Sequence, residues 1–255
     1  MTQTNFPNPA KFIVPILVVF LVAAAFAIGM LWTKVSFLEK GSSTKGSATG
    51  AEGAGAPAPG VAAKISDLKI PPVTDDDHIK GDREAKLTWI EYSDLECPYC
   101  KQIHPSLQKM VDEYKGQVRW VYRHFPIASL HTKAQKEAEG AECAYKLGGD
   151  EAFWKFADRL FEITPANNGL DPKQLPEIAA FAGVDKEKFS NCLESGEMEA
   201  RVKRDLTGGG QAGVNGTPGG FLLDDKGNAW VVHGVNSSDP YTGIKAAVEK
   251  ALAYK

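Results

Sequence analysis

The chain has 255 residues, 43% of them hydrophobic, and a formal net charge of −3. Residues 1-63 carry four Lys/Arg and two acids, leaving 25 Lys/Arg against 30 Asp/Glu in the rest, and an acidic body is a poor match for nucleic acid, whose affinity rests on cations neutralising phosphates. The 192 residues after position 63 suffice for one core-bearing domain, and four cysteines are too few for a disulfide-stapled miniprotein.

In chain order, residues 1-11 form a short tail, and 12-32 run FIVPILVVFLVAAAFAIGMLW without a charge. As a helix these 21 residues reach about 31 Å, close to the hydrocarbon core of a bilayer. A transmembrane anchor is expected, with the tail on the cytoplasmic side. A cleaved signal peptide is the alternative, although the apolar run is longer than that class carries. A buried core helix is excluded by the lack of any polar face. Residues 33-75 are expected to be a flexible linker, because the stretch 41-63 is built of small residues, glycine and proline that bury too little to offset ordering. Lys34, Lys40 and Lys45 follow the span against Lys11 before it, opposite to the usual bias of positive charge to the cytoplasm.

The domain is expected over 76-255. Short aromatic and β-branched runs predict strands at Leu87 to Tyr92, Val118 to Phe125, Phe221 to Leu223 and Ala229 to Val232. Helical periodicity appears in Ile103, Leu107, Met110, Val111 and Tyr114, and again from Tyr241 to Leu252. Between His131 and roughly Gly210 no strand signal occurs, and Phe153, Phe156, Ala157, Leu160 and Phe161 mark one helix and Leu175, Ile178 and Ala179 another, so a helical insertion is expected over about 128-212. Phe153 and Trp154 are expected in the core of that helical block. Strands separated by a helix favour a parallel crossover, and the last two read as a hairpin. The class is α/β: a mixed sheet with a helical insertion.

Cys97-Pro98-Tyr99-Cys100 follows the first strand and opens the first helix. Proline favours the first helical position, which makes Cys97 the N-cap and sets its sulfur beside amides lacking an intrahelical partner. Those dipoles stabilise a thiolate, and Cys100 lies on the same side of the helix, within reach of a disulfide. Half a zinc site and a plain structural disulfide are the competing readings. Zinc needs further ligands, and Cys143, Cys192 and His104 offer no regular spacing. The strand-then-helix context is the condition for reading C-x-x-C as redox-active. No metal and no cofactor are expected. His124 reads as a structural strand histidine.

Residues 77-107, DHIKGDREAKLTWIEYSDLECPYCKQIHPSL, resemble DsbA-like thiol-disulfide oxidoreductases of the thioredoxin superfamily. The resemblance implies a thioredoxin fold with an inserted helical subdomain, and Pro105 matches a proline that kinks the active-site helix. Asn215-Gly216-Thr217-Pro218 resembles the family's cis-proline loop, which implies a cis Thr217-Pro218 bond beside the dithiol. Gly219-Gly220 departs from the bulkier β-formers expected there, so the next strand is expected to start late. Glu91, six residues before Cys97, matches a buried acid that assists proton transfer, and period-two alternation puts it on the face of Leu87 and Trp89; a solvated edge carboxylate is the alternative. Asp94 and Glu96 are expected on the loop surface. Pro98, Tyr99, Thr217 and Pro218 are implied as active-site support. Some members join two cysteines of comparable helical context, which implies a structural disulfide between Cys143 and Cys192; two buried free thiols are the alternative.

The resemblance implies an extracytoplasmic enzyme that forms disulfides in reduced exported proteins and is reoxidised by a membrane partner of DsbB or VKOR type. An envelope reductase or isomerase is the alternative, since glutaredoxins carry the same CPYC in a reductive role. A noncatalytic peptide-binding or chaperone module is the third, opposed by retention of both cysteines.

Overall fold

The computed structural model describes residues 62–233 and 239–254. The elements are β1 (Ala62–Lys64), β2 (His78–Lys80), β3 (Leu87–Ser93), α1 (Pro98–Glu113), β4 (Val118–His124), α2 (Ala134–Ile163), α3 (Leu175–Phe181), α4 (Lys186–Ser195), α5 (Glu199–Gln211), β5 (Gly219–Asp224), β6 (Asn228–His233) and α6 (Pro240–Leu252). Among the described residues no helix is long and apolar enough to cross a membrane; the anchor expected at 12-32 lies outside them.

The strands form one sheet in the order β1-β6-β5-β3-β4-β2. β3 and β4 pair in parallel, as a helical crossover requires, and all other pairs are antiparallel. The four expected strands are present. Two three-residue edge strands were not legible, and β1 together with buried Leu68 and Ile70 falls inside the stretch 33-75 expected to be linker. The ordered domain therefore starts before residue 76. Pairing with β6 supplies partners for the backbone groups of this edge segment.

Alternation along β3 and β4 divides the core. Leu87, Trp89, Trp120 and Tyr122 face α1, α6 and the helical block, whereas Ile90, Tyr92 and Val121 pack with Phe221, Val231, Leu68 and Ile70. Both faces are covered, so β3 is buried at every residue. Phe153 and Trp154 are buried among the aromatic rings of this core, as expected.

β5 begins at Gly219, directly after Pro218, and corrects the late start expected there. Gly220 lies opposite Glu91, and a Cβ at Gly220 would lie 1.9 Å from the Ile90 carbonyl oxygen. The glycine permits the close approach of β5 to β3; it does not delay the strand. Gly220→Ala is expected to cost about 3 kcal/mol, read as a shift of the urea midpoint at unchanged slope.

The helical block comprises α2 to α5, with α2 broken where Gly149 takes a φ of +73°. Cys143 on α2 and Cys192 on α4 are joined by a disulfide, Cα to Cα 5.9 Å, across 49 residues. Closing a loop of that length restrains the unfolded chain by about 4 kcal/mol. Cys143→Ala with Cys192→Ala is expected to lower the thermal midpoint by roughly 8–16 °C, with thiol exchange at Cys97 retained.

Candidate active site

Cys97 occupies the N-cap of α1 in extended conformation (φ −77°, ψ 123°), Pro98 is the first helical residue, and no side chain caps the helix. The free amides of the first turn are thereby left to the Cys97 sulfur. Cys97 is 4% exposed, and Cys100 is fully buried. Both thiols are free. Tyr99, between them, is 60% exposed. Pro105 lies inside α1, one residue after buried His104.

The Thr217–Pro218 bond is cis, and the Cys97 thiol donates to the Thr217 carbonyl at 3.5 Å. The two thiols are driven apart in acidity. A hydrogen bond from Cys100, followed by the Cys100 amide, the Thr217 side-chain hydroxyl and the Tyr99 amide, holds the Cys97 thiol down at about 6, against the opposing effect of burial. Burial, reinforced by the neighbouring Cys97 charge, pushes the Cys100 thiol well up. At neutral pH the pair is one thiolate and one thiol.

Glu91 points to the same face from β3 and is 1% exposed. Trp120 Nε1 donates to its Oε2 at 3.1 Å, while Oε1 has no partner among the described residues. Burial pushes the Glu91 carboxyl up to about 8, with the Cys97 charge adding to it and Ser93 and Trp120 opposing. Ser93 also lowers the Cys100 thiol, so one serine favours the charged form of both the acid and the buried thiol. Ser93 and Trp120 had no role in the sequence reading; Ser93 was findable as the residue two after Glu91 on the same strand face.

Asp94 and Glu96 are buried, 1% and 0% exposed, and correct the expectation of a surface loop. The Asp94 carboxylate accepts from the amides of Glu96 and Ile127 and from His131 Nδ1, each at 2.8 Å. Asp94 favours the charged form of His131, and so does the Cys97 charge, which together outweigh burial and raise the imidazole's pKa. Glu96 accepts from the Asn168 amide, and its carboxyl contact together with burial pushes Glu137 up to about 9. The loop is buried because segments near His131 and Asn168 close over it, a long-range effect.

His104 is no partner of the cysteines. It pairs with Asp158 at 2.6 Å against the Trp120 and Phe161 rings. His124 is buried in a cluster with His78 and Glu142.

A family profile described as thioredoxin matches residues 73–233. The chain belongs to the thioredoxin family. Within that family it is similar to Pseudomonas aeruginosa DsbA2, at 30% identity and a TM-score of 0.60, over 71% of this chain and 97% of that one. The domain thus has the thioredoxin fold in the form seen in DsbA-type proteins. Oxidised BdbD from Bacillus subtilis shares the fold at 24% identity and a TM-score of 0.58, covering 70% of this chain and 94% of that one. Curated relatives include Na(+)/H(+) antiporter NhaA 3 of Salinispora tropica, 34% identical over 196 residues, 76% of this chain and 28% of that protein. NhaA 1 of Salinispora arenicola is 37% identical over 164 residues, 64% of this chain and 24% of that protein. The chain spans about a quarter of the length of these relatives.

Proposed function

We propose that this thioredoxin-family protein is a disulfide-forming oxidase. The observation that carries the reading is the acidity of Cys97, lowered to about 6 by Cys100 and the first-turn amides. Stabilising that thiolate stabilises the reduced enzyme, which raises the reduction potential of the couple.

In the oxidised enzyme a substrate thiolate attacks the Cys97 sulfur, the Cys97–Cys100 bond breaks, and Cys100 departs and takes a proton. A second substrate thiolate then attacks the substrate sulfur of the mixed disulfide and expels Cys97 as a thiolate. Two substrate thiols become one disulfide, and the enzyme dithiol retains the two electrons. Glu91, protonated up to about pH 8 and on the Cys100 side of the site, supplies the proton that Cys100 takes and receives it back on reoxidation. Exposed Tyr99 and the Thr217–Pro218 loop flank the reacting sulfur and receive an extended, reduced substrate protein.

The reading includes an extracytoplasmic location, a single-pass anchor at 12-32 and reoxidation by a membrane partner of DsbB or VKOR type. The Cys143–Cys192 disulfide supports that location, since structural disulfides persist in oxidising compartments. Labelling of Cys97 in intact reduced cells by an impermeant alkylating reagent is the expected result; labelling only after lysis rejects the location.

The direction is tested by equilibrating the Cys97–Cys100 couple with glutathione. A potential nearer about −120 mV than about −270 mV is expected. A value at the thioredoxin end rejects the oxidase in favour of a reductase.

A further inference from the structure

His78 on β2, His124 at the end of β4 and Glu142 on α2 converge in the interior, each no more than 1% exposed. Nε2 of His78 lies 2.8 Å and Nε2 of His124 3.1 Å from one carboxylate oxygen, Glu142 Oε1. One donor atom from each residue lies within 4.8 Å of the other two.

Hydrogen bonding accounts for only part of this packing. His78 shares a hydrogen bond with Glu142, but the His124 ring is not aligned for one despite its 3.1 Å separation. Neither ring nitrogen of His124 has a hydrogen-bond partner among the described residues. A buried imidazole left unpaired costs free energy, and such groups call for an explanation. A nitrogen and an oxygen that approach closely without an in-line proton are arranged as two donors aimed at a common centre. Around a tetrahedral ion with bonds of about 2.0–2.1 Å, neighbouring donors stand roughly 3.3 Å apart, against 2.8 and 3.1 Å from Glu142 Oε1 to the two imidazole nitrogens and no more than 4.8 Å across the set.

The surroundings fit the same reading. Nδ1 of His78 faces Asp150 Oδ1 at 3.9 Å, beyond hydrogen-bond range but on the side from which a carboxylate can orient a ligating imidazole. Arg201 Nε lies 3.7 Å from Glu142 Oε1, yet its guanidinium is also held by Asp205, so Glu142 can turn to a cation without leaving Arg201 unpaired.

We propose that His78, His124 and Glu142 form a transition-metal site of the zinc class, which ties the β2 and β4 strands to α2. Two imidazoles with one carboxylate select such ions over calcium or magnesium, which take oxygen ligands. The sequence could not show it, because the three ligands come from three elements with no motif spacing between them.

The test uses the full chain with Cys97 and Cys100 oxidised to a disulfide, so that their thiols cannot bind metal. After stripping with chelator, zinc chloride is titrated in competition with a chromogenic chelator, and cobalt(II) chloride is titrated by visible absorption. One ion per chain, a four-coordinate cobalt spectrum without sulfur charge transfer, and a thermal midpoint that rises with zinc are expected. His124→Gln lowers zinc affinity by ~100-fold or more, and Asp150→Asn by ~10-fold. No saturable binding by the wild-type chain overturns the site, and so does wild-type affinity in a folded His124→Gln variant. Should His124→Gln fail to fold, the wild-type midpoint decides: one that zinc leaves unmoved overturns the proposal.

Discussion

Glu91→Gln is expected to slow thiol exchange by roughly 100-fold at neutral pH while making the protein more stable in alkaline solution. The two effects have one cause. Burial raises the Glu91 carboxyl from 4.5 to about 8, so the folded protein keeps a proton that the unfolded chain releases first. Between those values the native state binds more protons, and stability falls as pH rises. The loss has a ceiling of about 5 kcal/mol above pH 8, set by ~1.4 kcal/mol per pH step. Glutamine keeps the shape and can still accept from Trp120 Nε1, but it does not ionise, so the variant loses both this penalty and the proton relay. Urea midpoints at pH 5 and pH 9, taken with exchange rates at pH 7, check it. Equal pH slopes for wild type and variant would show that Glu91 is solvated and ordinary.

Cys97 carries the opposite linkage. Its folded pKa is depressed from 9.0 to about 6, so the stabilisation of the reduced protein is fully present above pH 9 and is lost as pH falls through 6. The ceiling is about 4 kcal/mol, reduced by solvent screening where the site opens. In the oxidised protein the four-residue Cys97–Cys100 ring restrains the unfolded chain by about 2 kcal/mol. The reduced form is therefore expected to be the less stable one near pH 6 and the more stable one above roughly pH 7–8. Thiolate absorbance of the reduced protein should show one thiol ionising near 6 and the second silent through neutrality, since burial holds Cys100 high. Cys97→Ser is expected to abolish exchange. A reduced protein whose stability relative to the oxidised form is flat from pH 6 to 9 would remove the thermodynamic basis of the oxidase.

Much of this site was written locally. The strand feeding Cys97, proline at the first helical position and Cys100 one turn on are short-range facts, and Glu91 follows from alternation along one strand. Thr217, Pro218 and the Cys143–Cys192 pairing came from family resemblance, since nothing in the spacing of those residues specifies a cis bond or a partner. Short-range reading failed where burial is imposed from elsewhere. Asp94 and Glu96 look like loop acids, but His131, Ile127 and Asn168 supply their donors from 33 to 72 residues away in the chain. β1 and β2, at three residues each, carry no periodic signal and exist as strands because β6 and β4 offer them an edge.

The sequence by itself determined the fold class, the helical insertion and the nucleophile at a helix start, because hydrophobic period, proline placement and cysteine spacing act over a few residues. Only the tertiary structure decided which charged groups lose their water, and with that the acidity of Glu91, the engagement of Asp94 and Glu96, and the meeting of His78, His124 and Glu142. Desolvation depends on what packs over a group from distant parts of the chain, and no local pattern encodes it.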